Sequence, residues 1–302
     1  MKKILILGAN SYIGCSFWTY MRENYPGEFQ IDHISLRGED WKNTDWSGYD
    51  SVLNVTGKAH ADIGSLTEKE KQEYYEVNCK LACAAAKKAL QSGAGQYIYL
   101  SSIIVYGDRS NTLEPLHITK ATNPSPSNFY GDSKWQAERK LADIFGEKAG
   151  RTKLAVVRLP MIYGKGSRGN FQMLLKLAEK LPFFPAVNNQ RSMLYIENLA
   201  EFLRLLAESG RGGLYIPQNA DYVSTAELVK EIGAARGKRI RLWRWLNPLV
   251  WLAGKLPGKI GGMVQKAFGT LTIDQKLSRS EIDGYQKFGL RQSVERSICL
   301  IR

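Results

Sequence analysis

Short blocks of consecutive apolar residues alternate along the first half of the chain with longer stretches of helical character. The block at 3–7 is apolar throughout its core, as a strand buried on both faces of a parallel sheet must be. Similar blocks recur at about 30–36, 49–54, 95–102 and 154–160. Between them the pattern predicts helices from Gly14 to about Glu23, from about Glu68 to Gln91, and from Tyr130 through Leu141. Strand and helix in strict alternation predict an α/β fold with a doubly wound parallel sheet. The pattern changes near Gly164. Residues 164–170 are glycine-rich and basic, 181–185 hold two prolines that break a helix, and 191–200 read as a strand entering a helix. The expected organisation is one domain over 1–164 with 191–216 returning to it. A smaller α/β lobe takes 165–190 and 217–302.

The turns after the strands carry the candidate chemistry. Gly8 to Gly14 follows the first strand and opens the first helix. A glycine turn running into a helix N-terminus offers free N–H groups and a positive dipole end to a pyrophosphate. Gly8, Asn10, Ser11, Tyr12, Ile13 and Gly14 are therefore candidate cofactor contacts, although Ser11 stands where a middle glycine is usual. The second strand ends at Arg37, not at the Asp or Glu that would take ribose hydroxyls. An arginine there suits a 2′-phosphate, so the cofactor leans to NADP(H) over NAD(H), and Asp40 just beyond is a candidate for the adenine edge. Val55, Thr56 and Gly57 close the third strand with residues that let backbone approach a dinucleotide.

Ser101 and Ser102 end the fourth strand, and Tyr130 and Lys134 follow one helical turn apart. A free tyrosine has a pKa near 10. A lysine on the same helix face favours the phenolate and lowers that value. A serine hydroxyl on a neighbouring strand end can hold the oxygen that gains or loses the proton. The set reads as an acid/base device for interconverting an alcohol and a ketone. Gly8, Arg37, Thr56 and Ser102 all fall at carboxyl ends of strands, where open α/β sheets bind ligands.

Composition adds limits. The 302 residues carry a net charge of +13, which suggests acidic partners such as a phosphorylated substrate. No Lys/Arg block or aromatic-interleaved basic motif points to nucleic acid. Cys15, Cys79, Cys83 and Cys299 fit no zinc spacing, so no metal is expected, and a reduced, cytoplasmic setting follows. No stretch reaches transmembrane length. The segment 242–264 combines three tryptophans with leucines and cations. It suits an amphipathic element on a membrane surface. Pro248, Pro257 and four glycines argue against one long helix and favour a lobe packed over the substrate.

With these residues in view, nearly the whole chain resembles the extended short-chain dehydrogenase/reductase family, specifically its NAD(P)-dependent nucleotide-sugar epimerases, dehydratases and reductases. Gly8–Gly14 resembles the family's cofactor turn, and Ser-Ser-x-x-Val-Tyr-Gly at 101–107 its catalytic-serine strand. Tyr130 and Lys134 match its YxxxK pair, Asn78 its helix asparagine, and Arg158 to Gly164, with Pro160, its RxxxxYG segment. Arg191 with Tyr195, Asn198 and Leu199 is similar to its substrate-phosphate segment, and Asn170 to a residue on the nucleotide diphosphate. The resemblance implies a Rossmann-type fold, Ser102, Tyr130 and Lys134 as the catalytic set, and a nucleotide sugar bound by Ser102, Tyr106, Asn170 and Arg191. It further implies Lys134 on the nicotinamide ribose, a homodimer through two helices of the nucleotide domain, and a part in glycan precursor synthesis. The family's 4,6-dehydratases carry Asp-Glu directly after the catalytic hydroxyl residue. Here Ile103 and Ile104 stand there, so a 4-epimerase of a UDP-sugar is expected, with a 4-ketoreductase and a non-catalytic cofactor-binding protein as alternatives.

Overall fold

A computed structural model describes the chain except residues 9, 60–65, 108–113, 149, 279–281 and 299–302, and except the side chains of 147, 148, 259 and 260. Cys299 therefore lies outside the described residues. Six parallel strands form the central sheet: β1 (Lys2–Leu7), β2 (Phe29–Ile34), β3 (Ser51–Asn54), β4 (Gln96–Ser102), β6 (Lys153–Leu159) and β10 (Gly213–Tyr215). Their spatial order is β10-β6-β4-β3-β1-β2. The connection after β2 crosses back over β1, so the order reverses between β1 and β3. Crevices at such reversals are where doubly wound sheets take ligands.

The apolar blocks are explained by burial on both faces. Ile4 and Ile6 point to one side with Leu53, Ile98 and Val157, under α1 (Tyr12–Asn24) and α6 (Ile196–Ser209), which pack on each other. Leu5 and Leu7 point to the other side with Val52, Tyr97 and Tyr99. The helix expected at 68–91 covers that face in three parts: α2 (Glu68–Tyr75), a π turn (Glu76–Leu81) and α3 (Ala82–Gln91). Ala82, Ala85, Ala86 and Ala89 are fully buried, and their small side chains let α3 lie close to the two tyrosines. Beside it runs α4 (Phe129–Lys148).

The remaining elements sit around the carboxyl ends of the strands. They include three two-stranded parallel pairs. β5 (Leu116–Ile118) pairs with β12 (Leu271–Ile273), β7 (Met161–Tyr163) with β9 (Met193–Tyr195), and β8 (Phe183–Pro185) with β11 (Arg241–Trp243). The segment 181–185 thus does more than stop α5 (Asn170–Lys180), because it is itself a short strand. α7 (Thr225–Ala235), α8 (Asn247–Gly254), α9 (Lys259–Phe268), α10 (Gln275–Ser278) and α11 (Leu290–Ile298) complete the chain. Among the described residues no helix is long and apolar enough to cross a membrane.

Candidate active site

The glycine turn lies at the reversal of the sheet. Gly8 has φ +115°, and a Cβ there would stand 3.1 Å from Thr56 Oγ1 and 3.2 Å from Val55 Cγ2. Only glycine lets β1 and the β3 turn close on each other this tightly. Ser11 explains its own departure from the glycine pattern. Its φ of −76° is ordinary extended backbone, and its hydroxyl caps α1 by accepting from the Gly14 amide at 3.0 Å. Gly14 is needed beside it, because a Cβ would meet that hydroxyl at 2.8 Å. The amides of Tyr12 and Ile13 form the open first turn of the helix. Asn54 holds the opposite wall, accepting from the Thr56 amide at 2.9 Å and donating to the Tyr97 hydroxyl at 2.7 Å. This close-approach cradle fits the diphosphate of a nicotinamide dinucleotide. Arg37 and Asp40 are exposed beyond the end of β2, where the adenosine half would reach.

Tyr130, Ser102 and Lys134 converge at the end of β4. The phenol hydrogen-bonds to Ser102, whose hydroxyl also lies 3.4 Å from the Leu159 carbonyl. Asn128 sets the start of α4, accepting from the Gly131 amide at 2.9 Å. Gly131 brings that start onto the turn after β4: a Cβ there would sit 2.7 Å from the Ile104 carbonyl. Lys134 is 5% exposed. Its ammonium donates to the Leu100 carbonyl at 2.9 Å and lies 4.8 Å from the Tyr99 ring centre. Burial pulls its pKa down to about 8, partly opposed by Glu138.

The spacing alone suggests that Lys134 lowers the Tyr130 pKa. In the structure burial raises it, opposed by the Ser102 hydrogen bond, with Tyr74 adding to the rise. The lysine charge is directed at a carbonyl and a ring instead.

Asn78 is completely buried in the π turn. Its side chain accepts from the Lys58 amide at 2.8 Å and donates to the Lys58 carbonyl at 3.1 Å and to Ser133 Oγ at 3.0 Å. The Tyr99 hydroxyl donates to its carbonyl at 2.8 Å. The residue ties the β3 turn to α4. π turns leave backbone groups out of the helical ladder and cluster at functional sites. Gly57 completes this corner, since a Cβ there would be 3.2 Å from Lys134 Nζ.

Behind Ser102, Tyr130 and Lys134 lies a buried group that the motifs do not announce. Glu138 forms a buried ion pair with Arg158 at 2.6 Å and accepts from Ser101. Arg158 also donates to the Tyr106 hydroxyl, with its guanidinium over the Tyr106 and Trp135 rings. Tyr106, expected on the substrate, is thus directed inward to Arg158. Glu138 stands two turns after Tyr130 and one after Lys134. That same-face spacing was the available signal.

Asn170 and Arg191, both expected on the substrate, line one cavity with Met161, Met193 and, from α9, Met263 and Lys266. Arg191 donates to the carbonyls of Lys266 (2.6 Å) and Gly269 (3.2 Å). Burial pulls its pKa down, and among the described residues it has no carboxylate partner. A partly buried arginine without a counter-ion is suited to a phosphate. Pro160 is buried between β6 and β7. Among the described residues, no cluster of three or more His, Cys, Asp or Glu is placed to hold a metal.

The profile of the family described as RmlD substrate binding domain matches residues 1–242. The UDP-glucose 4-epimerase of Vibrio cholerae is 31% identical over 235 residues, covering 74% of this chain and 68% of the relative. The N-acetyl-alpha-D-glucosaminyl-diphospho-ditrans,octacis-undecaprenol 4-epimerase of Escherichia coli O157:H7 is 24% identical over 270 residues, 83% of this chain and 77% of the relative. The fold is shared with dTDP-4-dehydrorhamnose reductase of Bacillus anthracis in complex with NADP, at TM-score 0.72, 18% identity and full coverage (100%) of both chains. Other structures of this fold carry NAD or NADPH.

Proposed function

This chain belongs to the RmlD substrate-binding-domain family, within the NAD(P)-dependent epimerases and reductases, and on that premise we propose that it is a 4-epimerase of a nucleotide-activated hexose of the UDP-sugar type. The observation that carries this reading is the Tyr130 phenol hydrogen-bonded to Ser102, beside the buried Lys134 ammonium. A bound nicotinamide cofactor supplies the hydride acceptor at sugar C4 and, when oxidised, a positively charged ring. Ser102 holds the C4 oxygen. Tyr130 takes the proton from the C4 hydroxyl as the ketone forms and returns it when the carbon is reduced on its other face. Lys134, with a pKa of about 8, is mostly protonated at neutral pH and binds the cofactor ribose hydroxyls. Arg191 and Asn170 hold the substrate diphosphate. Ile103 and Ile104 offer no side-chain group that transfers protons, so the chemistry stays at C4 and no water is eliminated. A cytoplasmic setting belongs to the same reading, and the unbridged thiols of Cys79 and Cys83 support it. The reading extends to a homodimer through helices of the nucleotide domain, which light scattering tests.

Arg37 favours a second reading, a 4-ketoreductase using NADPH, because the arginine is exposed at the end of β2 where a 2′-phosphate would lie. Incubation with UDP-glucose or UDP-N-acetylglucosamine and NAD+ separates the two. Exchange between 4-epimers without net change in cofactor supports the epimerase. Stoichiometric loss of NADPH with a 4-keto sugar nucleotide, and no exchange, overturns it in favour of the reductase. Tyr130→Phe is expected to lower kcat by about 10²–10⁴. Near-full turnover in that variant would refute the acid/base assignment.

A further inference from the structure

Between Glu231 and Asp274 the chain carries eight basic residues and no acidic one. Within it, α8 and α9 form a helical hairpin. Six of the chain's large exposed apolar side chains crowd onto this segment: Trp245, Leu249, Trp251, Leu252, Leu256 and Met263 are 45–64% exposed. In α8 only Gly254 is buried. The segment divides: α9 packs over the cavity, as a lobe over the substrate would, while the outer side of α8 stays exposed. The prolines and glycines break the segment into two short helices, and these six apolar side chains stay about half exposed.

Soluble surfaces scatter exposed apolar residues singly and rarely cluster them. Tryptophans among leucines, bordered by cations and free of carboxylates, are the composition of an element lying at a lipid–water boundary. Arg239, Arg241 and Arg244 are exposed on the approach to α8 and form no ion pair among the described residues. The Lys255 ammonium lies 3.4 Å from the centre of the Trp251 ring, so charge and aromatic surface face outward together. At 8 and 10 residues the two helices are too short to span a bilayer.

We propose that the α8–α9 hairpin docks this protein onto an anionic lipid bilayer, lying in the headgroup region with Trp245, Trp251 and Leu252 inserted. The attraction has two parts, apolar burial and the positive segment against anionic headgroups. The docked face adjoins the cavity, because Met263 and Lys266 of α9 line it and the Lys266 carbonyl accepts from Arg191. Docking sets the cavity at headgroup level, where a sugar diphosphate carried on a lipid is presented. That consequence rests on the reading of the cavity as the diphosphate site, whereas the docking itself does not.

Flotation of the full chain with phosphatidylcholine vesicles containing about one third phosphatidylglycerol tests the proposal. The wild type floats, floats less with pure phosphatidylcholine, and floats less at high salt. The triple variant Trp245→Ala, Trp251→Ala, Leu252→Ala binds at least about tenfold more weakly, since it removes the three side chains that insert. Its thermal unfolding and its turnover of a soluble nucleotide sugar match the wild type, because the three residues are exposed and none of them lines the cavity. Failure of the wild type to float overturns the proposal. So does equal flotation of the triple variant, or equal flotation on neutral and anionic vesicles. A wild-type dimer in light scattering that the triple variant converts to monomer, without flotation of either, assigns the face to a second copy and overturns it too. Flotation that persists while no sugar is epimerised separates this proposal from the reading of the active site.

Discussion

Gly131→Ala tests how Tyr130 is placed. Gly131 follows Tyr130 directly, and its missing side chain lets α4 begin against the Ile104 carbonyl. An added methyl would sit 2.7 Å from that oxygen, 3.3 Å from the Ile104 carbonyl carbon and 3.1 Å from Pro126 Cβ. Ordinary carbon–oxygen contact is longer by about 0.7 Å, so α4 or the turn after β4 must retreat by roughly that amount. Both neighbours are held: the Ile104 carbonyl accepts from the Gly107 amide at 2.9 Å, and the Asn128 cap fixes the helix start. The shift therefore falls on the Tyr130–Ser102 hydrogen bond. A displacement near 1 Å at reacting groups costs about 100-fold in rate, so kcat is expected to fall by about 10- to 100-fold. Overpacking costs about 1–3 kcal/mol, and the better helix propensity of alanine offsets up to about 1 kcal/mol of it. The assay is steady-state epimerisation beside thermal unfolding. The expected outcome is a large loss in kcat, a small loss in stability and an unchanged KM for the nucleotide sugar. A kcat within twofold of wild type would show that this contact does not set the tyrosine, and would refute the reasoning.

Four further outcomes follow from the same geometry. Lys134 has a folded pKa of about 8 and an unfolded one of 10.5, so the unfolded chain binds more protons between these values. Wild-type stability relative to Lys134→Met is thus lowest below pH 8 and rises between about 8 and 10.5; a flat difference by chemical denaturation across that window contradicts the burial argument. Glu138→Gln leaves the buried Arg158 charge without its partner and is expected to cost about 3–5 kcal/mol in urea unfolding. Because Glu138 also raises Lys134, the alkaline limb of activity moves to lower pH in any folded fraction. Arg191→Ala should raise the KM for the nucleotide sugar by about 10- to 100-fold, the value of one charge-assisted contact, with cofactor affinity unchanged. Arg37→Ala should weaken NADP+ binding and leave NAD+ binding as it was; equal loss of both, by calorimetry, removes the 2′-phosphate role.

Much of the architecture could be read locally. Ile4, Leu5, Ile6 and Leu7 are apolar at consecutive positions because both sheet faces are covered, and that requirement is visible without the fold. Gly8, as the turn glycine after an apolar strand, and the Tyr130–Lys134 spacing can likewise be read from neighbours close in sequence, whereas the crowding of Gly8 by Val55 and Thr56 cannot. Ser11 read as a defect in the glycine pattern, since the pattern does not say which positions need positive φ. Only the helix start shows the serine as a cap.

What the sequence determined by itself was the order of strands and helices, the turns at the strand ends and the residue types able to move a proton. Each is a matter of period, backbone preference or side-chain chemistry. What only the tertiary structure decided was where charges and apolar surfaces end up. Glu138 finds Arg158 across 20 positions, Tyr106 turns to that same arginine, and Lys134 is directed to a carbonyl of β4 instead of the phenol. The apolar run around Trp251 would suit a core as well as a surface, and the fold leaves it in solvent. Burial and long-range pairing depend on the summed positions of all the elements, so a local pattern constrains them without fixing them.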